Sequence, residues 1–144
     1  MNDFLEKASD YAFGELEHVN GDISKLSIPL QTIVVVYTAQ GIIDNGGFQY
    51  FFESDFPNNP DYKLFSESYK RIGAKSAAEN IDKAVALFGF ENPHLNADKR
   101  QQYLETLDDE ALFSKLGYAI CGDESIWEKL NMYALSEQGA FAKT

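Results

Sequence analysis

Residues 28–52, IPLQTIVVVYTAQGIIDNGGFQYFF, leave this chain few ways to fold. From Ile28 to Ile43 the run is apolar on nearly every side of a helical projection. Ile33, Val34, Val35, Val36, Tyr37, Ala39, Ile42 and Ile43 cannot share one surface stripe. A helix that is apolar all round is a buried one. The β-branched residues favour a strand, but such strands run about 4–8 residues and this run is twice that length. The segment therefore reads as a helix at the centre of the molecule. Ser27 is placed to cap it, and Pro29 sits in its first turn, where a missing N–H costs nothing. Asn45-Gly46-Gly47 stops it, because glycine accepts the left-handed conformation that closes a last turn. Phe48, Tyr50, Phe51 and Phe52 follow as a short aromatic segment folded back onto the core. This predicts positive φ at Gly46 or Gly47 and burial of Phe48, Phe51 and Phe52.

Around that centre the periodicities predict more helices. Asn2 to Val19 is amphipathic: Phe4, Leu5, Ala8, Tyr11, Ala12, Leu16 and Val19 share one face, and Asp3, Glu6, Asp10 and Glu17 line the opposite one. Glu15 falls inside the apolar face and needs a Lys, Arg or Tyr hydroxyl as partner. Asn20-Gly21 ends this helix, and Asp22 or Ser24 begins a short turn. Asp61 to Ile72 is helical, with Asn59 as cap, Pro60 at the first position and Gly73 closing it. Ser76-Ala-Ala-Glu79 and Ser125-Ile-Trp-Glu128 read as capping boxes, and Gly89 ends the first of the helices they open. Between them lie a helix over Ala97 to Leu107 and another opened by Asp108-Asp109-Glu110. The expected architecture is a single all-α domain over residues 1–144, a compact bundle of about six or seven helices around a buried central helix.

Charge bounds what such a bundle does. Acids number 23 and bases 12, a net charge of −11. That surface repels nucleic acid phosphates and anionic membranes and attracts basic partners. Solubility alone also accounts for an acidic balance. The charge is uneven: residues 1–62 hold ten acids and two bases, 63–100 five and seven, 101–144 eight and three. The acids therefore gather in the two ends of the chain. Candidate partner-binding residues are Asp3, Glu6, Asp10 and Glu17 at one end, and Asp108, Asp109, Glu110, Asp123, Glu124 and Glu128 at the other. Acids at helix starts also complement the helix dipole.

Catalytic chemistry finds no foothold in the motifs. His18 and His94 have no metal-ligand partner at i+4, Cys121 has no neighbouring His or second Cys, and no phosphate-binding glycine loop is present. No catalytic residue, metal ligand or cofactor is therefore assigned. No run reaches the ~18 apolar residues of a membrane span. The first residues are acidic and mixed, unlike an export signal, so the cytoplasm is the expected compartment.

The corner carries a resemblance. Asn45-Gly46-Gly47-Phe48, then Phe51-Phe52, then Ile72-Gly73-Ala74 and an Ala-rich helix to Phe88 resemble the bacterial DNA-mimic-protein-like domain family, over Leu30 to Gly89 with a weaker echo to Tyr118. The resemblance implies a small acidic helical domain whose carboxylates occupy the DNA-binding surface of a transcription factor, and it implies a homodimer. Three readings stay open: an acidic, non-catalytic interaction protein with a basic DNA-binding partner; a ligand or enzyme pocket under the corner, lined by Tyr37, Asn45, Tyr50 and Glu15; and a structural or immunity-type partner that uses apolar surface.

Overall fold

The apolar run is helical throughout, and the helix extends past its glycines. In the computed structural model, which describes residues 3–141, α2 spans Ile28–Glu53 and is broken at one residue. That residue is Gly47, with φ 68° and ψ −164°, a backbone region essentially closed to any residue with a Cβ. Before the break α2 buries Leu30 to Val36, Ala39, Gln40 and Ile43. After it, a short helical stretch buries Phe48, Phe51 and Phe52, each at 1% exposure or less. The aromatic segment folds back as its sequence predicts, and it does so as helix.

The two glycines of the corner serve different needs. Gly46 is helical and solvent-exposed, yet a Cβ built on it would lie 2.5 Å from the Cβ of Tyr50. In an unbroken helix those positions are about 5–6 Å apart. The turn at Gly47 swings the next residues back over Gly46, which therefore has no room for a side chain. A third glycine completes the joint: a Cβ on Gly117 would lie 2.8 Å from the backbone nitrogen of Phe48.

Among the described residues six more helices accompany α2: α1 (Asp3–His18), α3 (Tyr62–Arg71), α4 (Lys75–Leu87), α5 (Ala97–Leu104), α6 (Leu112–Tyr118) and α7 (Glu124–Ser136). Short 3-10 turns lie at Ile23–Lys25, Pro93–Leu95 and Gln138–Phe141. Among the described residues there is no strand, and the protein is an all-α bundle. α2 packs against α1, α3, α5, α6 and α7, while α3 and α4 form a hairpin turned at Gly73 (φ 89°). Phe52 anchors the aromatic part of the core. Its ring meets those of Phe48, Phe51, Tyr62, Phe88 and Phe113 edge-on, at centroid distances between 4.8 and 5.5 Å. Each such pair contributes about 0.5–1.5 kcal/mol beyond its burial.

Several helix starts differ from those the sequence suggested. Asp61 caps α3, accepting from the Lys63 amide at 2.9 Å, and Asn59 lies in the preceding loop with φ 45°. α4 begins at Lys75, so Ser76 is already inside it and no capping box forms; Ala74 at the cap offers no side-chain acceptor. Asp123 caps α7 by accepting from the Ser125 amide at 3.0 Å, which again puts the serine of the expected box inside the helix. Residues 108–110 form a turn ahead of α6, with Asp108 accepting from the Glu110 amide at 3.0 Å. In α3 and α7 an aspartate two residues upstream of the first free amide supplies the acceptor. In α4 the Gly73 turn delivers the chain straight into helix.

Substitutions separate the roles of the glycines. Gly47→Ala is expected to destabilise by more than the ~1 kcal/mol of an ordinary glycine replacement. Gly46→Ala should also destabilise, by displacing Tyr50. Gly14→Ala has open space around the added Cβ and should be neutral or stabilising by up to ~1 kcal/mol. Urea unfolding of the three variants measures this, and equal effects at all three would refute the division of roles.

Candidate functional site

The predicted acids divide by what their carboxylates touch. α1 packs its apolar face against α2 and α7 and leaves Glu6, Asp10 and Glu17 exposed. Their carboxylates make no hydrogen bond or ion pair among the described residues. Asp3 opens α1, and its side chain lies outside the described residues. Glu124 and Glu128 are likewise exposed on α7. α1 and α7 pack together, which sets the helices that carry these acids side by side.

The other four acids have local partners. Asp123 caps α7, accepting from the Ser125 amide and, at 2.6 Å, from its hydroxyl. Asp108 closes the turn before α6. Asp109 accepts from the Tyr118 hydroxyl at 2.9 Å, and this bond raises the tyrosine pKa. Glu110 faces Lys115 at 3.5 Å. These last three lie beside the corner, because Tyr118 reaches to 3.6 Å from where a Cβ on Gly47 would stand.

A carboxylate that the motifs did not single out holds the corner in place. Asp44 precedes Asn45 and is half-buried. It accepts from Gln40 Nε2 at 2.8 Å, from the Gly122 amide at 2.7 Å and from Trp127 Nε1 at 2.9 Å. Gln40, fully buried, also donates to the Ile120 carbonyl at 2.8 Å and accepts from the Tyr69 hydroxyl at 2.9 Å. Burial first, and then the negative charge of Asp44, push the Tyr69 pKa well above its usual value. One carboxylate thus ties α2 to the α6–α7 connection and to α7, and through Gln40 to α3. Hydrogen bonds to a charged acceptor are about twice as strong as neutral ones. The available signal was a Gln and an Asp four apart inside an otherwise apolar run, since buried polar groups have partners.

Arg100 holds the far side of the corner. At 2% exposure, it donates to the Phe52 carbonyl at 2.9 Å, to the Pro93 carbonyl at 2.7 Å and to Asp55 at 2.5 Å. Asn45 donates to the Gly41 carbonyl at 2.8 Å, which occupies its side chain within α2.

The structure does not gather Tyr37, Asn45, Tyr50 and Glu15 into one pocket. Glu15 meets the Tyr11 hydroxyl at 3.5 Å, the kind of partner its position called for, and faces His18 Nδ1 at 2.7 Å. It lines a surface groove with Leu30, and Asn45 lies fifteen residues further along α2, roughly 22 Å away. Tyr37 packs edge-on between Phe13 and Trp127, at 5.9 and 5.3 Å. His94 meets the Tyr62 ring edge-on at 6.3 Å, and Cys121 is half-buried with its thiol 3.7 Å from the Asp44 carbonyl. Among the described residues no three His, Cys, Asp or Glu side chains are grouped to hold a metal ion, and no helix is long and apolar enough to cross a membrane.

Two measurements test the buried network. Asp44→Ala strands three donors and should cost about 3 kcal/mol, each unsatisfied group being worth ~1–3 kcal/mol, with a shift in Trp127 fluorescence. The buried tyrosines predict alkaline sensitivity. Burial pushes the Tyr62 pKa up to about 12, with Arg100 partly opposing. A phenol whose folded pKa exceeds its unfolded value of 10 keeps its proton longer in the folded state, so stability is full below pH 10 and falls as pH rises from 10 toward 12. Tyr62 and Tyr69 both contribute, and Tyr62→Phe should flatten part of that fall in urea titrations taken across this range.

No curated protein and no solved structure matches the chain. The family model for DMP19-like proteins matches residues 24–137, from the turn before α2 to the end of α7, so that the glycine corner lies inside the match and α1 outside it. Over that span, four-fifths of its length, the chain belongs to the family of DMP19-like proteins.

Proposed function

We propose that this protein is a non-catalytic interaction protein that presents carboxylates to a basic DNA-binding partner, a transcription factor for example, in the manner of a DNA mimic. Membership of the DMP19-like family and the net charge of −11 support a role of this type. The observation that carries the reading is the row of exposed Glu6, Asp10 and Glu17 on α1, without partners among the described residues, with Glu124 and Glu128 on the helix packed beside it. In this reading Asp3 continues the row. Asp108, Asp109, Glu110 and Asp123, which have local partners, lie outside that row and add to the field around it.

Magnitudes set the limits of that row. From Asp3 to Glu17 four acids span about 21 Å of helix, while one DNA strand carries a phosphate every ~3.4 Å. The row alone has roughly half the linear charge density of a single strand. Each exposed pair with a partner's base contributes only ~0.2–1 kcal/mol, so α1 and α7 must act together. A second copy of the chain would extend the acidic surface, and we propose a homodimer, to be checked by light scattering at micromolar concentration. The cytoplasm, where such a partner works, is the proposed compartment.

A pull-down from cell extract at low and high salt tests the reading. The expected result is recovery of a DNA-binding protein at low salt, its release by duplex DNA, and its loss when Glu6→Gln, Asp10→Asn and Glu17→Gln are combined. An unchanged set of captured proteins with those three neutralised would sink the proposal.

A further inference from the structure

We propose that the glycine corner is itself a docking surface, on which Tyr50 and Tyr118 receive arginine side chains of a basic protein. The inference rests on the reading that the partner is basic, and it does not depend on the row along α1. Of the large apolar side chains left substantially exposed among the described residues, the two aromatics are Tyr50, at 47%, and Tyr118, at 52%. Both flank the same two residues. The Tyr50 Cβ sits over Gly46, and the Tyr118 ring edge stands beside Gly47.

Neither side chain is placed at random. The turn at Gly47 swings Tyr50 back over its own helix, and the missing side chain at Gly46 leaves that face clear. Asp109 holds the Tyr118 hydroxyl at 2.9 Å. Tyr118, held in this way, loses little conformational freedom on binding, which is why such residues serve as interface anchors.

Charge chooses the occupant. The two segments that form the surface, residues 45–54 and 105–118, hold five acids (Glu53, Glu105, Asp108, Asp109 and Glu110) and one base, Lys115, which faces Glu110. Nucleic acid phosphates are repelled there. A second copy docked about a two-fold axis would set these acids against themselves. An arginine fits both features at once: its planar guanidinium stacks on a tyrosine face, and its fork pairs with a carboxylate such as that of Asp109. Lysine offers the charge without the plane.

The test uses the full chain and two synthetic probes of equal length and charge, an Arg-Gly-Ser repeat peptide and a Lys-Gly-Ser repeat peptide, followed by amide chemical shifts. The expected result is binding of the arginine peptide about 3–10-fold more tightly than the lysine peptide, with shifts centred on Tyr50 and Tyr118. That preference should vanish in Tyr50→Leu/Tyr118→Leu, persist in Tyr50→Phe/Tyr118→Phe, which keeps the rings, and persist in Glu6→Gln/Asp10→Asn/Glu17→Gln. The single variant Tyr50→Leu should reduce it even if the double variant is unstable. Equal affinity for the two peptides, or shifts confined to α1 and α7, would overturn the proposal. So would movement of the same corner resonances on dilution of the protein alone, which would mark a self-interface. Loss of partner capture in the α1 variant with no corner preference leaves the carboxylate row standing without this surface, and the reverse pattern leaves this surface without the row.

Discussion

The bundle depends on one backbone turn that only glycine makes without strain. An unbroken helix over the 26 residues of α2 would be about 39 Å long. A domain of this size has a radius of gyration of only ~15 Å, so a straight helix would cross it from side to side and leave one end uncovered. The left-handed step at Gly47 shortens the reach and turns Phe48, Phe51 and Phe52 into the same core that holds Ile33 to Val36. Gly46 and Gly117 follow from that step, since each gives up its side chain to let another part of the chain close over the joint.

Polar ties fix the two sides of the joint. On one side Asp44 accepts three hydrogen bonds; on the other Arg100 donates to the carbonyl of Phe52. Neither is chiefly an ion pair. Asp44 is satisfied by neutral donors, and the one carboxylate that Arg100 meets, Asp55, is mostly in solvent. Their contribution is the satisfaction of polar groups, fully buried at Gln40 and Arg100 and partly so at Trp127, and the cost of removing one end of a buried bond exceeds its net worth. The contacts also specify register, since the bonds from Gly122 and Trp127 to Asp44 and from Arg100 to Phe52 join elements distant in sequence.

Much of this was legible in the residues. The length of the apolar run settled helix against strand, and the periodicity of α1 placed Glu6, Asp10 and Glu17 in the open. The different duties of Gly46 and Gly47 were not legible, because one is set by a dihedral angle and the other by a contact with Tyr50 that exists only after the turn. The cap positions slipped because a serine followed three residues later by glutamate is outcompeted where an aspartate stands just ahead, as Asp123 does before Ser125. Asp108 and Asp123 stood among the candidate partner-binding acids, yet each folds onto an amide two residues on, a local bond that helical periodicity does not register. Asp44 escaped notice because its partners, Gly122 and Trp127, are 78 and 83 residues away.

That separation has a bearing on how the chain is made. Synthesis proceeds from the N-terminus at about 5–20 residues per second, so Asp44 emerges several seconds before the residues that bind it. Over that interval the apolar α2 segment carries the Asp44 carboxylate without two of the three donors that meet it in the fold. Burying that carboxylate early would strand the charge, and the penalty opposes premature collapse around the nascent helix. Completion of α7 removes the penalty by delivering Gly122 and Trp127 together. The last third of the chain acts as the latch on the central helix, and a chain ending before residue 122 would have that helix without the latch.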